Sequence, residues 1–189
     1  MNLPNDKLIE ILKAQESLRD RVLSCRSCID QSENEKTMTL PWGSVSNPRF
    51  MIIGESPSLN PLLPRVRNAL LITPTGSILG DALTRIGVKS RENECYFTNI
   101  VKCAYGGKIG SIVICPKIWL QYEIDNVAPK AIITLGKVAQ RAVKPLLIPP
   151  TVIPSTTKIY RLPHPAFTRK NPQARDKFWG IVATIIAEE

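Results

Sequence analysis

Residues Phe50-Met-Ile-Ile-Gly-Glu-Ser-Pro-Ser58 contain the clearest fold signal in the chain. Four apolar residues end in Gly54, an acid and a Pro-Ser turn, which is the pattern of a short buried strand that runs into a tight loop. In an open α/β sheet, ligands bind beyond the carboxyl ends of the strands. The pattern therefore places Glu55 at an edge where a functional site is expected.

Working outward, further apolar runs with strand character alternate with amphipathic segments. The predicted strands are Phe50 to Ile53, Cys95 to Val101, Ala131 to Leu135 and Lys158 to Leu162. The predicted helices cover about residues 5–23, 76–86, 115–127, 136–143 and 172–187. This alternation predicts an α/β fold with a doubly wound, largely parallel central sheet and helices on both faces. Residues 29–48 are predicted to form an irregular connection in which Trp42 is a packing anchor.

The composition fits a single globular domain over residues 1–189, since 43% of the 189 residues are hydrophobic. No apolar run has the length of a membrane span, and the first residues lack the basic and apolar regions of a signal peptide. We therefore expect a cytoplasmic monomer with no membrane partner. The net charge of +9 favours a polyanionic partner such as nucleic acid, although many basic proteins have no such partner.

The five cysteines suggest a metal centre. Cys25 and Cys28 form a Cys-x-x-Cys pair, whose thiolates can reach one metal, and Cys103 and Cys115 lie in or beside a loop where side chains can converge. Cys95 begins a strand and is predicted to be a core residue. In a reducing compartment such thiols indicate zinc or an iron–sulfur cluster before a disulfide. The wide second spacing favours a 4Fe-4S cluster over zinc, and unligated thiols are the third alternative.

Several motifs together resemble the iron–sulfur, family-4 type of uracil-DNA glycosylase, over most of the chain. In order, they are Cys25-x-x-Cys28, Met51 to Pro57, Gly76 to Gly87, Tyr96 to Cys103, Cys115-Pro, Pro129 to Gly136 and His164 to Ala166. The resemblance implies a doubly wound sheet and removal of a base from DNA. It also implies a structural 4Fe-4S cluster held by Cys25, Cys28, Cys103 and Cys115.

Glycosylase chemistry gives roles to three polar residues. The transition state carries oxocarbenium character on the sugar and negative charge on the leaving pyrimidine, after the base has been flipped out of the stack. Glu55 suits the sugar side, His164 can donate to the base oxygen, and Asn99 can pair with the edge of uracil or cytosine. The structural alternatives are a turn-capping carboxylate, a structural histidine and a strand-capping amide.

Further contacts to base and DNA are predicted around these residues. Backbone N–H groups after Gly54, in the loop that holds Ser56, and around Gly76 can bind phosphate or base atoms. The candidates for DNA phosphate contact are Arg169, Lys170, Arg175 and Lys177. A solvated helix face explains these four cations equally well.

The base pocket departs from the family pattern. Family members usually carry Gly-Arg-x-Phe-Val-Gly, whose Phe stacks on the flipped uracil, whereas this chain has Leu71 or Ile72 at the nearest positions. Ser58 stands where a Gly is usual, and Ala104 to Gly110 replaces a Pro- and Arg-bearing loop. Losing a stacking ring removes about 1–3 kcal/mol of base binding and opens space. We therefore hypothesise a modified pyrimidine, enlarged at C5, as the substrate, with uracil as the competing substrate.

Two other classes of protein compete with an enzyme of this kind. One is a glycosylase-like module that grips a modified or single-stranded base without releasing it, and the presence of Glu55, Asn99 and His164 argues against it. The other is an iron–sulfur redox protein on the same sheet, which would couple electron transfer to a loss of visible absorbance on reduction.

Overall fold

The computed structural model describes residues 41–57, 74–103, 115–147 and 157–188, together with Asp20 and Cys25. Its strands are β1 (Trp42–Gly43), β2 (Phe50–Gly54), β3 (Cys95–Asn99), β4 (Ala131–Leu135) and β5 (Lys158–Leu162). Its α-helices are α1 (Pro74–Arg85), α2 (Arg91–Glu94), α3 (Gln121–Val127), α4 (Gly136–Val143), α5 (Pro165–Thr168) and α6 (Pro172–Glu188). A π-helical turn (Pro116–Leu120) precedes α3, and a 3-10 turn (Lys144–Leu147) follows α4.

The strands form one sheet in the order β1-β3-β2-β4-β5. Strands β2 to β5 are parallel, and only the short β1 pairs antiparallel, with β3. The chain leaves β2 toward β3 on one side and later returns to β4 on the other, so the strand order reverses beside β2. In doubly wound sheets a crevice opens at such a switch point, outside the carboxyl ends of the strands.

Helices cover both faces of the sheet, as predicted. Successive side chains of a strand point to opposite faces, and β2 is buried along its whole length. Met51 and Ile53 belong to a core with residues of α3 and α4, whereas Phe50 and Ile52 belong to a second core with residues of α1 and α6. Burial on both faces explains why the sequence of β2 is a continuous apolar run.

The predicted second strand is too long. The sequence predicts a strand through Val101, but β3 ends at Asn99. The N–H groups of Ile100 and Val101 leave the ladder and donate to the carbonyl oxygens of Gly54 and Glu55, each at 3.0 Å. The turn after β3 is therefore joined to the turn after β2.

The connection predicted to be irregular contains β1. Gly43 has φ +108°, and a Cβ there would lie 2.1 Å from the carbonyl oxygen of Cys95, so only glycine allows this close approach to β3. The rings of Trp42 and Phe97 are 5.4 Å apart, which confirms Trp42 as a packing anchor.

Helix boundaries also differ locally from the predictions. Helix α1 begins at Pro74 rather than Gly76, and the segment after Cys115 starts with a π-helical turn instead of an α-helix. Helices α2 and α5 were not predicted, because four residues are too few to show a helical period. Of the predicted helix over residues 5–23, only Asp20 is described, and it is helical. Among the described residues, no helix combines the length and apolar character needed to cross a membrane.

Candidate active site

The carboxyl ends of three parallel strands carry the predicted polar residues. Glu55 is the first residue after β2, Asn99 is the last residue of β3, and His164 lies two residues beyond β5. Gly54 and Asn99 stand opposite each other in the β2–β3 register. Parallel strands end at the same edge of a sheet, so the sheet brings all three residues to one edge.

The backbone fixes Glu55 relative to Asn99. The two hydrogen bonds from Ile100 and Val101 to the carbonyl oxygens of Gly54 and Glu55 tie both turns together. Glu55 and Ser56 are half-buried in this turn, and Gly54 is buried. The carboxylate of Glu55 therefore stands on a main chain that cannot move independently of the end of β3.

The side chain of His164 caps helix α5. Its Nδ1 accepts a hydrogen bond from the N–H of Ala166 at 3.2 Å, and Pro165 occupies the first helical position. Because Nδ1 is an acceptor, a neutral ring carries its hydrogen on Nε2. The residue is half-buried.

The electrostatics of His164 favour the neutral ring. Burial lowers the pKa of His164 below its ordinary value, and the carboxylate of Glu55 partly opposes this effect by raising it. At neutral pH the ring of His164 is therefore an uncharged N–H donor.

Gly136 supports His164 and was not predicted as a site residue. It follows β4 with φ +86°, and a Cβ there would lie 3.1 Å from Cβ of His164. The positive φ favours glycine, and a Cβ at this distance would force the side chain of His164 to shift by a few tenths of an ångström. The available signal in the sequence was a glycine directly after a buried strand, the same pattern that drew attention to Gly54.

Asn99 is buried, but its side-chain amide is accessible. The residue is 4% exposed. No hydrogen bond to this amide occurs among the described residues, yet none of their solvent-sealed side-chain nitrogen or oxygen atoms lacks a partner. The amide therefore reaches the solvent-accessible surface, as a side chain that reads a base edge must.

A buried ion pair lies beneath Asn99. Nζ of Lys102 is 2.6 Å from Oε2 of Glu123, and both residues are 1% exposed. Nζ also donates to the carbonyl oxygen of Asn99 at 2.8 Å. Neither residue was predicted to have a role, and the local signal in the sequence was limited to a lysine after an apolar run.

Three of the four predicted metal ligands are described and lie on one face of the sheet. Cys115 is part of the buried core with Met51, and Cys25 and Cys103 pack against that core. All three are thiols rather than disulfides, which suits the donor set of zinc or an iron–sulfur cluster. Cys28 lies outside the described residues, and within those residues no group of three His, Cys, Asp or Glu side chains is arranged to hold a metal ion.

Cys95 is a core residue, as predicted. It is fully buried in the core on the other face of the sheet. Burial, with a further contribution from the Glu94 carboxylate, raises the pKa of its thiol to about 12. Its thiolate is therefore unavailable near neutral pH.

The segment after His164 presents cations to solvent. Arg169, Lys170 and Arg175 are exposed, as is Lys177. The same segment contains Phe167, which is 58% exposed and was not predicted as a contact residue. A large exposed ring in a basic segment suits contact with nucleic acid, because bases stack on aromatic side chains.

The remaining predicted contacts are only partly described. Gly76 is buried within α1 rather than at its start. Leu71 and Ile72, the residues nearest the missing aromatic position, lie outside the described residues.

Comparison with known proteins gives one family. The model of the uracil DNA glycosylase superfamily matches residues 40–183, which is most of the chain and includes all three polar residues of the site. No curated protein matches the chain closely enough to count as a relative. Members of this superfamily are generally glycosylases that act on DNA, so the match confirms the predicted superfamily.

Proposed function

The chain belongs to the uracil DNA glycosylase superfamily, and on that premise we propose that it is a monofunctional DNA glycosylase. It hydrolyses the N-glycosidic bond of a flipped-out pyrimidine and leaves an abasic site. One observation carries the proposal: the sheet brings Glu55, Asn99 and His164 to one edge, where the cap at Nδ1 leaves Nε2 of His164 as the donor.

The proposed reaction uses these two groups on opposite sides of the breaking bond. The bond between C1′ and the base nitrogen breaks, and its electron pair leaves with the base. Glu55 stabilises the positive charge that develops on the sugar and orients the water that adds to C1′. The water loses one proton, and the departing base takes up one proton from solvent.

His164 acts on the leaving base. Its Nε2–H donates to the pyrimidine O2 as negative charge accumulates there. The ring suits this role as a neutral donor, because the lowered pKa of His164 keeps the ring from binding a second proton near neutral pH. The cap at Nδ1 keeps the ring in the tautomer that makes Nε2 the donor.

Asn99 reads the base edge in this proposal. Its amide offers an acceptor and two donors, so it can pair with N3–H and O4 of uracil or, flipped, with N3 and the amine of cytosine. Asn99 therefore selects pyrimidines without choosing among them. The choice falls to the region of Leu71 and Ile72, where the absence of the family's stacking aromatic favours a pyrimidine enlarged at C5.

We also propose that the enzyme is of the iron–sulfur type. Cys25, Cys28, Cys103 and Cys115 would hold a 4Fe-4S cluster, which would cross-link the N-terminal region to the segments after β3. The two described segments flanking Cys103 and Cys115 pack on one core, which supports this donor set. In anaerobically purified protein, Cys115→Ser should lose iron and labile sulfide, while the matched Cys95→Ser variant should retain both; equal iron in both variants would contradict the assignment.

DNA is the proposed macromolecular partner. Arg169, Lys170 and Arg175 would contact phosphates, and Phe167 would stack on a base. Each phosphate contact that is removed should reduce the slope of log affinity against log salt by about one. This segment follows His164 directly in the chain, which supports phosphate and base contacts close to the base that reacts.

A panel of oligonucleotides, each carrying one modified pyrimidine or uracil, tests the function. Released bases are identified by mass spectrometry, and Glu55→Gln is compared with Glu188→Gln, a carboxylate at the far end of α6. We expect release by the wild type and by Glu188→Gln, and a loss of about 10²- to 10⁴-fold for Glu55→Gln. Abasic-DNA binding should survive in Glu55→Gln.

The outcomes separate the alternatives. Release of an enlarged pyrimidine supports the altered pocket, and release of uracil alone refutes it. DNA binding without release of any base would favour the non-catalytic binding module. Equal activity of both glutamine variants would remove Glu55 from the site.

A further inference from the structure

The lysine–glutamate pair beneath Asn99 takes no part in the chemistry proposed above. The ammonium of Lys102 has three donors, and all three are used: Oγ1 of Thr98 at 2.7 Å, the carbonyl oxygen of Asn99 at 2.8 Å and Oε2 of Glu123 at 2.6 Å. An ammonium group has no further donors to offer. The three partners therefore fix the position of the Lys102 ammonium.

The carboxylate of Glu123 is equally well satisfied. It accepts from Oγ1 of Thr98, at 2.9 Å to Oε2 and 3.1 Å to Oε1. Burial and the neighbouring Glu123 carboxylate raise the pKa of Tyr96 well above its ordinary value, so its hydroxyl remains a donor to Glu123. Strand β3 thus contributes Thr98 and Tyr96 to one network with Lys102 and Glu123.

Stability alone is a poor explanation for this network. Taking two charges out of water costs free energy that their attraction only partly offsets, and apolar residues of similar volume often stabilise a core at least as well. The pair is better explained by what it holds in place. Within the part of the chain that the structure describes, the main-chain group bonded to this pair is the carbonyl oxygen of Asn99.

Lys102 closes the Asn99 turn from inside. Its side chain reaches back over the turn to Thr98 and Asn99, while Ile100 and Val101 in the same turn donate outward to the turn of Gly54 and Glu55. Without the ammonium, the Asn99 carbonyl would lose its donor inside the core. The turn could then shift, and the amide of Asn99 would shift with it.

We propose that Lys102 and Glu123 are positioning residues, which fix the Asn99 turn and so set the orientation in which its amide meets the base. The catalytic consequence rests on the proposed function, whereas the effect on the turn does not. Glu123 lies on α3, downstream of Cys115, and Lys102 directly precedes Cys103. The same pair therefore joins the base-reading turn to both segments that carry predicted metal ligands.

The test removes both charges together. In Lys102→Met/Glu123→Gln no charge is left unpaired, and the amide at 123 can still bond to Thr98 and Tyr96. The matched control is Lys158→Met/Glu188→Gln, which makes the same substitutions in an exposed pair between β5 and α6, 3.1 Å apart. Melting temperature, amide hydrogen exchange, kcat and KM are measured for both, and the substrates are oligonucleotides that carry a base released by the wild type.

We expect the buried double variant to fold and to lose rigidity at one place. The amide protons of Ile100 and Val101 should exchange about 10- to 100-fold faster, as expected for loss of a charge-assisted hydrogen bond. The kcat should fall by about 100-fold with little change in KM, because misorientation affects the reacting geometry more than binding. The exposed double variant should match the wild type in every measurement.

Unchanged exchange at Ile100 and Val101 in the folded variant would overturn the inference, whatever the enzyme does. Faster exchange with wild-type kcat would also overturn it, because the turn would then not matter for base recognition. A wild-type protein that releases no base overturns the proposed function, and the exchange measurement alone then decides the inference.

If the double variant does not fold, Thr98→Val provides the second test. Valine keeps the shape of threonine but removes one acceptor from Nζ and one donor from Glu123. In this variant the amide protons of Ile100 and Val101 should exchange about 10-fold faster, and kcat should fall by about 10-fold. The absence of both changes would contradict the proposal.

Discussion

The two halves of the site are held in different ways. In the paired-turn half, which consists of Gly54–Glu55 and Asn99–Val101, each turn is fixed by hydrogen bonds to the other. In the capped half, His164–Ala166, the ring is fixed by the N–H of a residue two positions later. The first half depends on contacts between distant parts of the chain, and the second half depends mainly on its neighbours.

This difference matches the roles proposed for the two halves. In the proposed reaction Glu55 acts at the sugar and Asn99 binds the base of the same nucleotide, so the distance between the two residues has to be fixed. The hydrogen bonds between the two turns fix this distance. His164 must present the correct nitrogen, and a local cap is sufficient to select the tautomer. The paired-turn half therefore controls spacing, whereas the capped half controls proton position.

The largest effect is expected from a substitution of His164 that keeps its helix-capping function but removes its Nε2–H donor. In His164→Asn, the shorter side chain can still cap α5, because asparagine is a favoured N-cap residue, but it cannot place a donor where Nε2 lies. We expect kcat to fall by about 10²- to 10³-fold, the usual cost of one lost transition-state donor. The free energy of unfolding should stay near that of the wild type.

His164→Ala is the companion variant. It removes donor and cap together, so it should lose the same activity and also about 1 kcal/mol of stability. Single-turnover release and urea unfolding measure the two effects. If His164→Asn keeps wild-type kcat, the capped half does not supply the donor and the comparison between the halves breaks.

Elements whose contacts lie close together in the sequence could be predicted, whereas elements that depend on distant partners could not. Strands β2, β4 and β5 were predicted within a residue of their observed ends. Strands β2 and β4 are continuous apolar runs that are buried throughout, and β5 alternates between exposed and buried residues, so the sequence of each strand shows its period directly. Strand β1 was missed because two residues carry no period, and its pairing depends on the fit of Gly43 against Cys95.

The site shows the same division. Glu55 and His164 could be identified because a glycine or proline marks the end of the strand beside them. Lys102 could not, since its burial depends on Glu123, which lies on α3 and is distant in the sequence. The shortened β3 has the same cause, because the partners of Ile100 and Val101 lie in the turn after β2.

A smaller effect tests a contact between the capped half and the start of α4. Gly136→Ala forces φ +86° on a residue with a side chain and brings its Cβ to 3.1 Å from Cβ of His164. We expect a loss of about 1–2 kcal/mol of stability and, because the ring must shift by a fraction of an ångström, a fall of about 10-fold in kcat.

Gly180→Ala is the matched control for this substitution. Gly180 lies within α6, and a Cβ there meets no atom within 4 Å. Alanine should raise helix stability by about 0.5–1 kcal/mol and leave kcat unchanged. Equal responses of the two variants, in either direction, would show that the packing of Gly136 on His164 is unimportant.

The smallest effect is a pKa shift, and it measures how the two halves meet. His164 is the only histidine in the chain, so its ring gives an isolated NMR titration. Burial lowers the pKa of His164 below 6.5 and Glu55 opposes this, so we expect a midpoint below 6.5, which should fall further in Glu55→Gln and stay unchanged in Glu188→Gln.

Because the unfolded chain then binds the proton more tightly than the folded one, the free energy of unfolding should decrease as pH drops through 6.5 toward the folded pKa of His164. Base release should fall only at the lower pKa, where the folded ring becomes charged. A midpoint that does not respond to Glu55→Gln would mean that the carboxylate and the ring do not share one site.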